Sequence, residues 1–530
     1  MSEKVSLKSI LLIPLFIAVG FASYWITISL TPEKRSPAPQ ELTQTPSVNF
    51  FSPKKSPSTR EPRKPDVNVD DEALENGALR NQRAIVFKDE AAMQAFLAKL
   101  GDKVKLLGKI DKLHTLHVGF NNSKDLDALL DGEEELSMIF PVNIPSFENV
   151  GPQDGAVALE NNLLKWLGVE SDNSLWGKGI TIAILDTGIA DHIAFKNAIQ
   201  RINLVPLPSD PSALNGHGTA VASVIFSNNP YAPGVAPSAT PLSVRIADDN
   251  GNSNSFLIAQ GIIAAVDAGA GIINISLGGS GQSSLVDKAL AYAHENGVSV
   301  VASAGNSGTQ GVMQPAASPT VIAVGAVDAI NQSMNFSTSG NEVAISSPGY
   351  GVNVAYPGDL AARVSGTSFS SPIVAGVFAA VASSSGNPTM SPQQAANLVL
   401  SNLNDVGVAG NDPYTGGGVP DMGTIMNLGT NGRYDASINS IYQTDGNQLN
   451  ILVQNLGTET LINAGVSVNV NGRSTLANIT TLAPMQTQVI TIPHNMSDPL
   501  QVSGSVQLSS GQKDQRPQNN SLSQQITPSP

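Results

Sequence analysis

The sequence contains no cysteine. Structural disulfides, a thiolate nucleophile and any cysteine-ligated metal are therefore excluded. An extracytoplasmic location is not, because proteins there also fold without disulfides. Basic charge is scarce as well: 29 Lys and Arg stand against 43 Asp and Glu, a formal net charge of −14. Binding to nucleic acid needs a basic face against phosphate, so no nucleic-acid partner is expected. Charged residues make up only 14% of the chain, while 41% is hydrophobic. That balance suits folded domains and not a disordered polyelectrolyte. At 530 residues the chain is too long for one core and divides into several.

Long apolar runs are equally rare, and the one near the N-terminus stands out. Residues 9–30, SILLIPLFIAVGFASYWITISL, carry no charge. They are long enough to cross a bilayer as a helix, and longer than the apolar core usual in a cleavable signal peptide. Residues 1–30 are thus expected to be a membrane anchor, with a secretion signal as the alternative. Both place the rest of the chain outside the cytoplasm. Lys4 and Lys8 precede the run and Lys34 and Arg35 follow it, so positive charge does not mark its orientation. Residues 31–80, rich in Pro, Ser, Lys and Arg, read as an extended solvated linker.

The pattern changes near Arg83. Over residues 81–145, strand-like and helix-like stretches follow the order β-α-β-β-α-β, a split βαβ unit. His114 and His117 fall in it. On one strand, side chains three apart point to opposite faces, so the two are not read as a metal pair. Residues 150–430 alternate β-branched runs ending in Gly, Asp or Asn (GITIAILDTG, GIINISLGG, VSVVASAGN) with helical stretches (HGTAVASVIFS, SSPIVAGVFAAVASSS). Such alternation predicts an α/β domain: a parallel sheet covered by helices on both faces, with its site at the carboxyl ends of the strands. Residues 431–520 lack helical spacing and alternate with frequent turn signals, the pattern of a small β-sandwich.

Four short strings carry the chemistry. A serine hydroxyl is a weak nucleophile near neutral pH; it needs a base, and the base needs a partner that fixes its tautomer. ILDTG puts Asp186 at a strand end, GHGT puts His217 at a helix start, and GTSFSSP puts Ser368 at a loop-to-helix turn. Pro372, in the last string, suits the first turn of that helix. ASAGN supplies Asn306, whose amide can donate to a developing oxyanion. Each string alone is weak. DTG also occurs in aspartic proteases, but those need a second copy, which is absent.

Together, in the order Asp, His, Asn, Ser, the strings resemble the subtilisin-like serine proteases, the subtilase family (peptidase S8). WGKGITIAILDTGI, GHGTAVAS, GVAPSATPLSVRI, NISLGG, VVASAGN and GTSFSSPIVAG match its blocks in order, over about half the chain. The resemblance implies that Asp186 orients the base, His217 is the general base, Ser368 is the nucleophile, and Asn306 stabilises the oxyanion with the Ser368 N–H. It implies that Ser276, Leu277, Gly278 and Gly279 pair with an extended substrate. Ala304 and Gly305 would wall the pocket for the side chain before the scissile bond. Met313 stands near that pocket's floor, where many members carry Gly, and a medium apolar side chain is expected there. The 81–145 unit resembles the family's inhibitory propeptide, with autocatalytic cutting expected between residues 144 and 175. The 431–520 unit resembles CARDB-type modules, which serve as spacers or bind partners.

The resemblance implies protein or peptide substrates, the chain's own propeptide as a partner, and no required cofactor. A structural calcium stays open, because FSNNPYAPG resembles an abbreviated calcium loop without carboxylates. His192, His294 and His494 are read as structural, and Asp405, Asp412 and Asp421 as turn carboxylates. The rival reading is a catalytically inactive subtilase fold used for binding or adhesion.

Overall fold

The computed structural model describes residues 70–144, 153, 155–169, 172–210, 213–384, 390–444, 448–493 and 500–526. The expected anchor, most of the linker, much of the expected cutting window and His494 lie outside them.

Seven parallel strands form the central sheet, in the order Val343–Pro348, Val321–Val327, Ser299–Ser303, Ile272–Ile275, Thr181–Asp186, Thr240–Arg245, Gln200–Asn203. The inner strands are apolar on both faces because both faces are covered. Along Thr181–Asp186, Ile182 and Ile184 join one core with the helices His217–Phe226 and Thr367–Ser384. Ala183 and Leu185 join the other, with the helices Ser255–Asp267 and Ser284–Glu295. Period-two alternation thus feeds two cores from one strand. The helix Thr367–Ser384 is apolar enough to cross a membrane by length and composition, but 89% of it is buried. It runs through the centre of the domain. It also begins earlier than the sequence pattern suggests: Pro372 is inside the helix, not in its first turn. The sequence pattern starts the helix at Ser370, whereas Thr367, Ser368 and Phe369 are already buried helix.

Before this domain, the strands Val104–Ile110, Thr115–Phe120, Gln82–Val86 and Glu135–Met138 form a four-stranded antiparallel sheet in that order. Ile85, Leu116 and Val118 face the unit's own helices through Met93, Phe96 and Leu126. Ala84, Ile110 and Ile139 face the other way and share a core with Phe256 of the large domain. His117, opposite Ala84 in register, lies on that second face with its ring centroid 4.8 Å from that of Phe256. His114 is not on a strand. It closes a one-turn helix, Asp111–Leu113, in the left-handed conformation. The sheet unit ends in a short strand, Pro141–Asn143, which leaves its own sheet and pairs antiparallel with Asn252–Asn254 of the large domain.

After the large domain, a three-stranded sheet (Ala436–Thr444, Gln448–Asn455, Thr487–Pro493) faces a four-stranded one (Arg473–Leu482, Leu461–Val470, Leu500–Gln507, Ser521–Ile526). Inward residues such as Ile451, Val466, Val468 and Val502 fill the sandwich core. The sandwich is tied to the large domain. Arg516 reaches Asp421 at 2.7 Å and Asp435 at 2.5 Å, all three side chains being largely buried. The Asp405 N–H donates to Gln454 Oε1 at 2.9 Å.

Candidate active site

The parallel sheet brings its strand ends to one edge, and the four strings meet there. Asp186 is the last residue of Thr181–Asp186 and is fully buried. Its carboxylate accepts the Thr187 N–H at 2.7 Å. His217 opens the helix His217–Phe226 and is buried, and its Nδ1 lies 2.9 and 2.8 Å from the two Asp186 oxygens. A carboxylate bonded to Nδ1 fixes the proton there and leaves Nε2 as the basic nitrogen. The His217 ring packs 5.8 Å, centroid to centroid, from Phe369, the residue after Ser368. Ser368 is the second residue of Thr367–Ser384, where backbone N–H groups have no partner within the helix. Its hydroxyl donates to the Ser276 carbonyl at 3.2 Å.

Asn306 follows the strand Ser299–Ser303, and its Oδ1 accepts from the Thr367 N–H at 2.9 Å and the Thr367 hydroxyl at 2.8 Å. With Oδ1 held, Nδ2 is turned toward Gly366: a Cβ there would sit 3.1 Å from it. Gly366 also has φ of +141°, which side-chain-bearing residues rarely adopt. Thr367 is a residue the sequence reading missed. Its signal was in plain view, a hydroxyl between Gly366 and Ser368 of GTS.

The predicted substrate segments flank this centre. Gly278 accepts the Asn143 N–H at 3.3 Å, and Gly251 accepts the Ile144 N–H at 2.9 Å. The end of the first unit therefore runs extended between the edge at Ser276, Leu277, Gly278 and Gly279 and the strand Asn252–Asn254. Across from this edge, Ala304 accepts the Met313 N–H at 3.1 Å, while Gly279 and Gln314 exchange two backbone bonds of 3.0 and 2.8 Å. Met313 is thereby held between the two walls. A Cβ on Gly305 would sit 2.7 Å from its sulfur, and one on Gly278 would sit 3.2 Å from its Cβ.

The remaining predicted residues lie elsewhere. His192 Nδ1 accepts the Ala194 N–H at 3.0 Å and its Nε2 lies 3.0 Å from the Leu360 carbonyl, a structural pairing of two loops. The His294 ring lies 3.3 Å from Gln393 Nε2, away from the strand-end edge. Asp412 accepts from the Tyr414 and Thr415 backbones, and Asp421 caps the helix Met422–Ile425. Burial pushes the Asp405 carboxyl up to about 6, with the Asp412 charge adding to it and the Gly410 N–H opposing. In the FSNNPYAPG loop, Asn229 Oδ1 accepts the Tyr231 N–H and the Tyr231 carbonyl accepts Asn353 Nδ2. Both oxygens are engaged within the protein, and no carboxylate stands in this loop.

The model of the Subtilase family (Peptidase S8) matches residues 177–418. A thermostable alkaline protease of Halalkalibacterium halodurans is 42% identical over 216 residues, covering 40% of this chain and 59% of that protein's length. Subtilisin Savinase of Lederbergia lenta is 36% identical over 240 residues, covering 44% of this chain and 87% of that protein. The crystal structure of the epidermin leader peptide processing serine protease of Staphylococcus aureus superposes with a TM-score of 0.54 at 20% identity. It covers 66% of this chain and 98% of that one, a likeness of fold. The subtilisin-like α/β sheet expected from the sequence is the fold this chain adopts, and the chain belongs to the subtilase family.

Proposed function

We propose that this chain is a serine endopeptidase that cuts peptide bonds through an acyl-enzyme on Ser368. The observation that carries the proposal is the buried Asp186–His217 pair, at 2.8 and 2.9 Å, beside a serine at a helix N-terminus. His217 Nε2 takes the Ser368 proton as Oγ bonds to the substrate carbonyl carbon. The imidazolium so formed is stabilised by Asp186. The carbonyl π electrons move onto oxygen, where Asn306 Nδ2 and the Ser368 N–H receive the charge. As the intermediate collapses, the C–N bond breaks and His217 returns the proton to the leaving amine. A water then repeats the sequence on the ester and frees Ser368.

The 81–145 unit acts in this proposal as an inhibitory propeptide, and the chain as a zymogen that processes itself. Support comes from Pro141–Asn143, which pairs in the cleft as a substrate strand would, by main-chain addition to an exposed edge. Met313 narrows the pocket beyond Ala304 and Gly305, so the residue before the scissile bond is medium-sized and apolar. Substrates are proteins or peptides outside the cytoplasm. Residues 9–30 tether the precursor to the membrane, and cutting after the propeptide releases the peptidase unless the propeptide stays bound.

The test is intact mass of wild type and Ser368→Ala purified from one host. Wild type should lose roughly the first 150 residues and the variant should keep them. Equal masses, with no fluorophosphonate label on Ser368, would overturn the proposal.

A further inference from the structure

The nucleophile's backbone is held by groups that take no part in the reaction. Pro372 has no N–H, and in an α-helix its N–H would have bonded the carbonyl four residues back, that of Ser368. That carbonyl is therefore left without its helical partner. It accepts instead from the Ser276 hydroxyl, at 2.9 Å. The same hydroxyl receives Asn274 Nδ2 at 2.9 Å and lies 3.1 Å from Ser371 Oγ. Ser371 Oγ in turn donates to Asn274 Oδ1 at 2.8 Å, closing the ring. Asn274, Ser276 and Ser371 are each fully buried. Proline's missing donor opens a gap in the helix, and a buried amide and two hydroxyls fill it.

Ser276 faces the site with its other end too. Its carbonyl accepts the Ser368 hydroxyl at 3.2 Å. In the antiparallel register that sets Asn143 opposite Gly278, the residue two further along an extended bound chain falls opposite Ser276. One residue thus touches the nucleophile's carbonyl, the nucleophile's hydroxyl and the place where a substrate backbone pairs.

We infer that Asn274, Ser276 and Ser371 form a positioning cluster that locks the Ser368 backbone to the substrate-pairing edge. The inference rests on the peptidase reading above. When a substrate backbone takes the Ser276 carbonyl, the Ser368 hydroxyl turns to His217, and only that side chain moves because the ring holds the carbonyl still. Asn274 and Ser371 are positioning residues, since neither touches substrate.

The experiment uses the full chain, matured until its intact mass matches wild type, carrying Asn274→Ala, Ser371→Ala or both. Active sites are titrated with a fluorophosphonate so that every rate is per competent enzyme. Each single variant should lose about 10- to 100-fold in kcat on a peptide amide with KM within about threefold, the range expected when a reacting group is misplaced by up to an ångström. The double variant should be no slower than the slower single, since the ring fails as a unit. Variants that melt earlier yet turn over per titrated site within about twofold of wild type would overturn the inference, as would losses that multiply. If a variant does not fold, the other single variant decides by the same two readouts. Wild type that takes no label on Ser368 would instead bring down the peptidase reading itself.

Discussion

Met313→Ala is the sharpest probe of substrate choice. The side chain is fixed between two glycine walls, with its sulfur 2.7 Å and its Cγ 2.9 Å from the place a Gly305 Cβ would occupy. Truncation removes Cγ, Sδ and Cε and leaves the backbone bond to Ala304 in place. The pocket deepens by the length of those three atoms. A phenylalanine before the scissile bond could then bury two to three more carbons than in wild type. At about 0.8 kcal/mol per buried carbon this is ~2 kcal/mol in the transition state, or roughly 30-fold in kcat/KM. The assay is a pair of peptide p-nitroanilides that differ only in Ala or Phe at that position. The Phe/Ala ratio should rise by roughly 10- to 30-fold in the variant, most of it from Phe gaining and not from Ala losing. A ratio unchanged by the substitution would refute the placement of Met313 in the pocket. Wild type that prefers Arg or Lys there would refute the apolar character of the pocket altogether.

Asn306→Ala should lower kcat by about 10²- to 10³-fold with little change in KM, because its amide acts on charge that exists only in the transition state; steady-state kinetics on matured enzyme decide it. Acid should loosen the first unit from the Ser368→Ala zymogen. Burial against Phe256 pushes the His117 imidazole down to about 4, so it docks neutral. A group with a depressed folded value stabilises above its free value and loses that contribution as pH falls, here from about 6.5 through 4, for about 3 kcal/mol in all. Protease sensitivity of residues 70–144 should climb over that window, and His117→Gln should flatten the dependence. Arg516→Ala should strip Asp421 and Asp435 of their shared counter-ion and cost about 3–5 kcal/mol of the sandwich's attachment. Calorimetry should then show the sandwich melting apart from the peptidase domain, and a single unshifted transition would count against the clamp.

Much of this was legible in the chain because the signals are local. The parallel sheet could be expected from apolar runs ending in Asp, Gly or Asn, since a strand covered on both faces has little choice of side chain. Asp186, His217, Asn306 and Ser368 could be picked out because each needs glycine or a small neighbour beside it. What was not legible depends on pairing between distant segments. Nothing in the periodicity of residues 81–145 says that Pro141–Asn143 abandons its sheet for Asn252–Asn254. Main-chain bonds carry no residue code, so such a pairing leaves no pattern to read. The interface place of His117 was illegible for a related reason: its environment is supplied by Phe256, on another element.

Pro372 marks the limit most clearly. Read locally, a proline after a run of serines belongs at a helix start, because there its missing N–H costs nothing. Inside a helix the same residue orphans one carbonyl, and a buried carbonyl without a donor costs about 1–3 kcal/mol. The local rule therefore favours the earlier boundary, and it is overruled because the orphan is the Ser368 carbonyl and Ser276 lies within reach. The hydroxyl that repairs the helix sits on the edge that pairs with an extended chain. In the proposed peptidase, a defect that propensity alone would disfavour becomes the joint between Ser368 and the substrate-pairing edge, which is where consistency between local and global preference is expected to break. Restoring a donor with Pro372→Ala should raise the melting temperature by removing the orphan's dependence on Ser276. If the melting temperature falls instead, the proline is there for packing, and the joint is not what retains it.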